Sequence, residues 1–467
     1  MYLYRLVVGD LSLYFHGFNL TLTTMSFSVS NFLETFTCCP PTQRLWIAYS
    51  GGLDSHVLLH ALAQLRPHLN LELRAVHIHH GLQSQADDWA KHCQQVCQAL
   101  EIRCEVIRVK VRAAPRESLE ANARSARYEA IAQLLAPDDV VLTAQHADDQ
   151  AETLLLQLLR GAGVAGLAAM PPVCRLAKGW LVRPLLAYTR AELDDYARQA
   201  NLHWIEDGSN ADIRFNRNFL RHEIMPLLQQ RWTSVSHILS RVARHQAEAD
   251  ELVQILAEED LQTCEGLQPD QLSLAALSSL NQARQRNVLR FWLKKLGLPL
   301  PSTVQLQHII SDIVTAKEDR QPVVRWHGGE VRRYRKDLFA MPNLPPAPKV
   351  SQSQCFTWLL PQVLRLPLGE LRANEVQGRG LALPAGTPLQ VRFRQGGETF
   401  YWRGHQRVVK KLLQAAQLPP WHRSFIPLIY FENTLVAIPG IGICEKFVAI
   451  DGDGERGWEI QWRLDLS

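Results

Sequence analysis

The apolar residues in the first half of the chain follow two periods that take turns. Runs at 45–49, 71–78, 102–109 and 140–145 are short, rich in apolar residues and strand-like. The stretches between them, 55–65, 86–100, 117–136 and 148–160, carry apolar positions at helical spacing. This alternation predicts an α/β fold, a parallel sheet with helices on both faces. Ligands of such sheets bind beyond the carboxyl ends of the strands.

Downstream the pattern changes. After a lead (1–40) and the α/β domain (41–215), residues 216–259 read as a long helical connection with arginines on its exposed side. A mainly helical domain follows at 260–340, ending in a basic strand region near Lys336. The run Met341-Pro342-Asn343-Leu344-Pro345-Pro346-Ala347-Pro348 marks a linker at 341–353. Frequent Gly and Pro with short apolar runs then predict a small β-rich domain at 354–467. No internal repeat stands out.

Composition narrows the class. At 467 residues the chain is too long for one ordinary core. No apolar run reaches membrane-spanning length. The nine cysteines are scattered and odd in number, with no CxxC pair, which favours a reducing cytoplasm over disulfides or a zinc site. Residues 1–24 place Asp10 and His16 among apolar residues and so lack the core of a secretion signal. Translation is expected to start at Met25; a native peptide containing Tyr2 to Arg5 would refute that.

The chemistry is concentrated behind the first strand, at Ser50-Gly51-Gly52-Leu53-Asp54-Ser55. Gly51 and Gly52 permit a tight turn that brings backbone amides close to an anion. Ser50 and Ser55 add hydroxyls, the following helix adds unpaired amides, and Asp54 is a ligand for a metal. A plain serine–glycine turn accounts for the glycines but not for the carboxylate and hydroxyls around them. The chain has no GxxxxGK[ST] stretch. Gly161-Ala162-Gly163-Val164-Ala165-Gly166 fits GxGxxG but follows a helix, so a mobile active-site loop is the better reading. Gly452-Asp453-Gly454-Glu455-Arg456-Gly457 also fits and reads as a hairpin turn. His77, His79 and His80 lack partners at metal-ligand spacing and read as strand-end packing or nucleotide contacts.

The SGGxDS loop resembles the signature of the PP-loop ATP pyrophosphatases, which cleave between the α- and β-phosphates of ATP. Other segments extend the likeness: His79-His80-Gly81-Leu82; the ExxARxxRY pattern of Glu120, Ala123, Arg124, Arg127 and Tyr128; and Gln145-His146-Ala147-Asp148-Asp149-Gln150-Ala151-Glu152-Thr153. Then come Trp204, Asp207, Ser209, Asn210, Arg217, Asn218 and Arg221. In this order the set resembles the tRNA(Ile)-lysidine synthetase family, in its long bacterial form.

That resemblance implies ATP-dependent ligation of lysine to C2 of the wobble cytidine in tRNA(Ile) with a CAU anticodon, changing codon reading from AUG to AUA. The C2 oxygen attacks the α-phosphate, pyrophosphate leaves, and the lysine ε-amine then expels AMP. ATP would sit on Ser50, Gly51, Gly52, Leu53, Asp54 and Ser55, with His80 and His146 nearby and Mg²⁺ on Asp54. Asp148 and Asp149 are candidates for lysine recognition, with Asp149 favoured for it or for removing the amine proton. Arg124 and Arg217 are candidates for holding phosphate charge; each reads alternatively as a surface or ion-paired arginine. Ser209 and Asn210 would shape their loop, Trp204 would be core, and a homodimer stays open.

The mild net charge of +4 hides local patches. Arg392, Arg394, Arg403, Arg407, Lys410, Lys411 and Arg423 stand against a single acid, Glu398, with Phe393, Phe400, Tyr401, Trp402 and Trp421 interleaved. A second cluster holds Arg325, Arg332, Arg333, Arg335 and Lys336. Such residues neutralise RNA phosphates and stack unpaired bases; equally, they form solvated strand faces over core aromatics. The resemblance favours tRNA contact. Two other readings compete. A thiolase of the same superfamily needs paired catalytic cysteines, and a relic RNA-binding protein would not turn over ATP.

Overall fold

The computed structural model describes residues 26–35, 39–69, 71–81, 85–110, 119–208, 212–316, 320, 322–344, 355–366, 369–450 and 456–464. The expectations for residues 1–24, Ser209 and Asn210, most of the 341–353 linker and most of the 452–457 turn lie outside them. The chain divides into two compact units, Met1–Val253 and Gln254–Ser467.

In the first unit, α1 (Val29–Thr35) leads into β1 (Arg44–Ala48), α2 (Leu53–Leu65), β2 (Glu72–His79), α3 (Ala86–Ala99), β3 (Arg103–Arg108), α4 (Leu119–Leu134), β4 (Val140–Leu142) and α5 (Ala147–Leu159). A one-turn α6 (Val164–Leu167), β5 (Val173–Leu176), β6 (Gly179–Val182) and α7 (Arg190–Gln199) follow. The sheet order is β3-β2-β1-β4-β6-β5, parallel except for β5. Side chains alternate across it, as strand geometry requires. Leu45, Ile47, Val140 and Leu142 join the core beneath α2 and α3, whereas Trp46, Val141 and Leu181 pack with Ile131 and Leu135 on the α4 side. Both faces of the central strands are therefore covered, and β1 and β4 are apolar over most of their length, whereas β2 and the edge strand β3 keep polar side chains. Trp204 is partly buried against the first of these cores.

The strand order reverses between β1 and β4, and the two strands' carboxyl ends open a crevice there. The GAGVAG segment forms the turn after α5, with Gly161 at φ +73°, and then α6. The predicted helical connection is interrupted: α8 (Asn216–Phe219), a π-turn at Leu220–Ile224 and α9 (Met225–Arg231) precede the long α10 (Val235–Cys264).

The second unit starts within α10 and continues with β7 (Gln271–Ser273), α11 (Leu274–Ser279), α12 (Gln282–Lys295), α13 (Thr303–His308) and a π-turn at Ile309–Val314. The antiparallel strands β8 (Val323–Trp326), β9 (Gly329–Tyr334) and β10 (Asp337–Met341) complete its first layer. These strands form a sheet of order β7-β10-β9-β8 packed on the helices around Trp292. Three further antiparallel sheets run from β11 (Phe356–Leu359) to β20 (Arg456–Leu464), with two short helices, Val409–Ala415 and Pro420–Arg423, among them.

Candidate active site

The loop after β1 turns on two glycines. Gly51 has φ +89°, and a Cβ there would lie 2.8 Å from Ile205 Cδ1 and 3.0 Å from Cys93 Sγ. Only glycine fits without displacing the neighbours. Ile205 also donates its backbone N–H to Gly51 O at 2.9 Å, so the segment after Trp204 clamps the loop. Ser50 Oγ and Ser55 Oγ lie 2.9 Å apart, and Ser55 Oγ donates to Gly52 O at 3.0 Å. The loop is therefore tied up internally at the amino end of α2, where Asp54 and Ser55 occupy the first turn.

Asp54 faces the second loop of the crevice, after β4. Its Oδ2 is 3.8 Å from His146 Nε2 and 3.7 Å from Arg190 Nη1, while its Oδ1 is buried with no hydrogen-bond partner. Burial raises its carboxyl above the ordinary range, against the pull of His146 and Arg190. A cation against that bare oxygen would remove the disfavour. Among the described residues, no three His, Cys, Asp or Glu side chains gather as a metal cage. Mg²⁺ does not require one, since it retains waters and takes ligands from substrate phosphates. Asp54 thus suits Mg²⁺ held jointly with a nucleotide.

His146 caps α5 and is about 1% exposed. Its Nε2 lies 3.4 Å from Asp149 Oδ2 and its Nδ1 3.4 Å from Asp148 Oδ2. Burial alone would lower its pKa, but Asp149, Asp148 and Asp54 together hold it up to about 9. At neutral pH it is an imidazolium among three carboxyl groups, and so no general base. Asp148 and Asp149 point apart. Asp148 accepts from Ser236 Oγ at 2.6 Å and from the Arg190 backbone N–H at 2.8 Å. Despite burial, these bonds and His146 hold it well below the usual carboxylate range. Both Asp148 oxygens are engaged, which makes it an anchor between α5, α7 and α10.

Asp149 looks toward α8 and the π-turn. Arg221 Nη2 donates to Asp149 Oδ1 at 3.0 Å, and Arg217 Nη2 lies 3.6 Å from the same oxygen. Although burial opposes it, His146 and the two arginines keep Asp149 ionised. Behind it, Glu152, about 1% exposed, accepts from Arg217 Nε at 2.8 Å and from Arg221 Nε at 2.7 Å. The π-turn sets the spacing between the two arginines, and such turns recur at functional sites. Arg217 is committed to carboxylates here, with Nη2 also reaching Asp149 O and Thr153 Oγ1, each at 3.1 Å.

Glu152, Arg190 and Arg221 were given no role by the sequence. The available signal was spacing: Asp149 and Glu152 stand three apart on one helix, Arg217 and Arg221 four apart on another, so each pair shares a face. Arg124 is exposed, its guanidinium 5.1 Å from the Tyr128 ring. His80 is half-buried at the end of β2; burial and Arg127 push its pKa down to about 4, so it is neutral.

In the second unit the basic residues sort by face. Arg403, Arg407, Lys410 and Lys411 are exposed, and Arg403 and Arg407 lie 4.5 and 5.9 Å from the Trp402 ring. Arg392 and Arg394 are half-buried, the first over Tyr430 at 5.0 Å and the second 3.5 Å from Glu398. Arg423 departs from the expectation of a surface contact. It is about 7% exposed, donates to Leu418 O at 2.8 Å and to Tyr334 Oη at 3.0 Å, and so is a packing residue. Phe393 and Phe400 are buried as well, since strand alternation turns them inward, and Trp421, on the short helix Pro420–Arg423, is buried against Phe339 and Met341. Arg325 and Arg332 are each 2.7 Å from the fully buried Glu330. Arg333 caps the carbonyls of Ile313, Val314 and Ala316.

Comparison with known proteins agrees with this layout. A PP-loop domain model matches residues 22–228, a TilS substrate binding domain model 272–339, and a TilS substrate C-terminal domain model 389–462. The tRNA(Ile)-lysidine synthase of Coxiella burnetii (strain RSA 493 / Nine Mile phase I) is 44% identical over 440 residues, 93% of this chain and 96% of the relative. That of Legionella pneumophila (strain Paris) is 40% identical over 412 residues, 87% of this chain and 93% of the relative. That of Yersinia pseudotuberculosis serotype I (strain IP32953) is 42% identical over 438 residues, 90% and 94% of the two chains. With relatedness at this level along nearly its whole length, the chain belongs to the tRNA(Ile)-lysidine synthase family.

Proposed function

We propose that this chain joins the ε-amine of L-lysine to C2 of the wobble cytidine of tRNA(Ile) bearing a CAU anticodon, with ATP converted to AMP and pyrophosphate. The observation that carries the reading is the meeting of the β1 loop with the acidic and basic side chains of α5, α8 and the π-turn in one crevice. A pyrimidone oxygen is a poor leaving group. Adenylating it makes AMP the leaving group, and the incoming amine needs a site that collects an ammonium ion. The first requirement falls on Ser50, Gly51, Gly52, Leu53 and Ser55, whose amides and hydroxyls would hold the departing pyrophosphate. Mg²⁺ on Asp54 would supply charge neutralisation at the phosphates.

The second requirement falls on Asp149 with Glu152. Asp149 is ionised, and both it and Glu152 are backed by Arg217 and Arg221, a charge balance that a lysine ammonium can enter without leaving an acid unpaired. Asp149 is held below the ordinary carboxylate range, which suits binding an ammonium better than abstracting a proton. Asp148 serves by fixing His146 and Arg190. Arg403, Arg407, Lys410 and Lys411 are the proposed tRNA contacts, with Arg392 and Arg394 beside them. No described helix is long and apolar enough to cross a membrane, and the reaction is proposed to take place in the cytoplasm. Asp54→Asn tests the reading: pyrophosphate release should stop while tRNA affinity stays, and undiminished release would refute it.

A further inference from the structure

The nucleotide loop has a basic residue opposite it that sequence motifs did not single out. Arg190 begins α7, and its backbone is fixed twice. Its N–H donates to Asp148 Oδ2 at 2.8 Å, and the preceding Tyr188 O accepts from Ala147 N at 2.7 Å. Thr189 closes the helix start with Glu192, whose carboxylate accepts from Thr189 N at 2.7 Å. The root of the side chain is thus immobile relative to the β4 loop. Its head is not held in the same way. Nη1 stops 3.7 Å from Asp54 Oδ2, beyond hydrogen-bond range, and the side chain is 48% exposed.

We propose that Arg190 is an exchangeable counter-charge. In the empty site it neutralises Asp54, and when a metal–nucleotide complex arrives it yields Asp54 to the metal and clamps the phosphates. This rests on the reading that the loop binds Mg²⁺ with ATP, but not on any step involving lysine or tRNA. The facing groups set the exchange. Asp54 Oδ2 is shared between His146 and Arg190, and its Oδ1 has no partner. His146 is enclosed by Asp148 and Asp149 and cannot follow a phosphate, whereas Arg190 opens to solvent at the crevice mouth. A guanidinium's planar fork matches phosphate oxygens.

The exchange predicts effects of opposite sign from a single substitution. With Arg190→Met, Asp54 loses a competing cation, so Mn²⁺ alone, followed by electron paramagnetic resonance, should bind several-fold tighter, about what one unit charge near 4 Å contributes in a wet site. Mg²⁺–ATP, followed by calorimetry without tRNA or lysine, should bind about tenfold or more weaker. Arg190→Lys keeps the charge but not the fork, and should restore the parental Mn²⁺ affinity while recovering ATP binding only in part. Loss of both affinities in Arg190→Met would mark a purely structural residue, and no change in either would show that Arg190 neither competes for Asp54 nor touches the phosphates; each overturns the proposal. If the proposed lysine transfer were wrong, these readings would be unaffected. If the loop did not bind ATP, the parent chain itself would fail the calorimetry.

Discussion

Gly51→Ala probes the loop most sharply, because the structure gives both contributions to its cost. A residue with a Cβ at φ +89° is strained by about 1–2 kcal/mol. The added methyl must also displace Ile205 Cδ1 at 2.8 Å and Cys93 Sγ at 3.0 Å. Forcing one carbon into such packing costs about 1–3 kcal/mol. Relief comes by moving the loop, so the loss falls on the conformation that receives the phosphates. A lower bound of about 2 kcal/mol corresponds to roughly thirtyfold weaker nucleotide binding. Calorimetry with Mg²⁺–ATP reads this directly, beside pyrophosphate release. Ile205→Val removes Cδ1 and leaves Cγ1, whose 3.6 Å distance is an ordinary contact. Combined with Gly51→Ala it should restore part of the affinity, with a favourable coupling of about 1 kcal/mol. Nucleotide affinity within twofold of the parent in Gly51→Ala alone would refute the reasoning.

Other consequences follow from the same geometry. Glu152→Ala strands two arginines around an empty position, and should destabilise the first unit by about 3–5 kcal/mol, seen as a lowered melting temperature; an unchanged melt would mean the pair is solvated. His146 has its folded pKa raised from about 6.5 to about 9. Its stabilising contribution is therefore full below pH 6.5 and lost as pH rises through 9, about 3 kcal/mol in all. Denaturation at pH 6.5 and 9 should show this decline, and His146→Gln should flatten it. Changing Lys410 and Lys411 to Glu should weaken tRNA binding and reduce its salt slope by about 0.7–0.9 per lost phosphate contact. Arg423→Ala should leave that slope unchanged, because the side chain is buried against Tyr334.

The sheet, its flanking helices and the glycine loop were legible in the sequence because each is local. The central strands β1 and β4 are apolar over most of their length, and the Ser50–Ser55 turn declares itself by composition. The β5–β6 hairpin was not legible, since four-residue strands behind Pro171 and Pro172 give too short a period. Nor was the Glu152–Arg217–Arg221 cluster, which depends on bringing α5 against the π-turn. The π-turn itself has no composition signal. Arg423 was misread because counting basic residues ignores which way a short helix turns them. His146 could be placed in the site by order alone, but its positive charge arises only from three carboxyl groups gathered from two loops.

The most direct test of the central claim is incorporation of radiolabelled lysine into purified tRNA(Ile) bearing a CAU anticodon, with ATP and Mg²⁺, and with tRNA(Met) of the same anticodon alongside. ATP-dependent label on tRNA(Ile) alone, abolished by Asp54→Asn, is the predicted result. Absence of label on a tRNA that still binds would contradict lysine transfer.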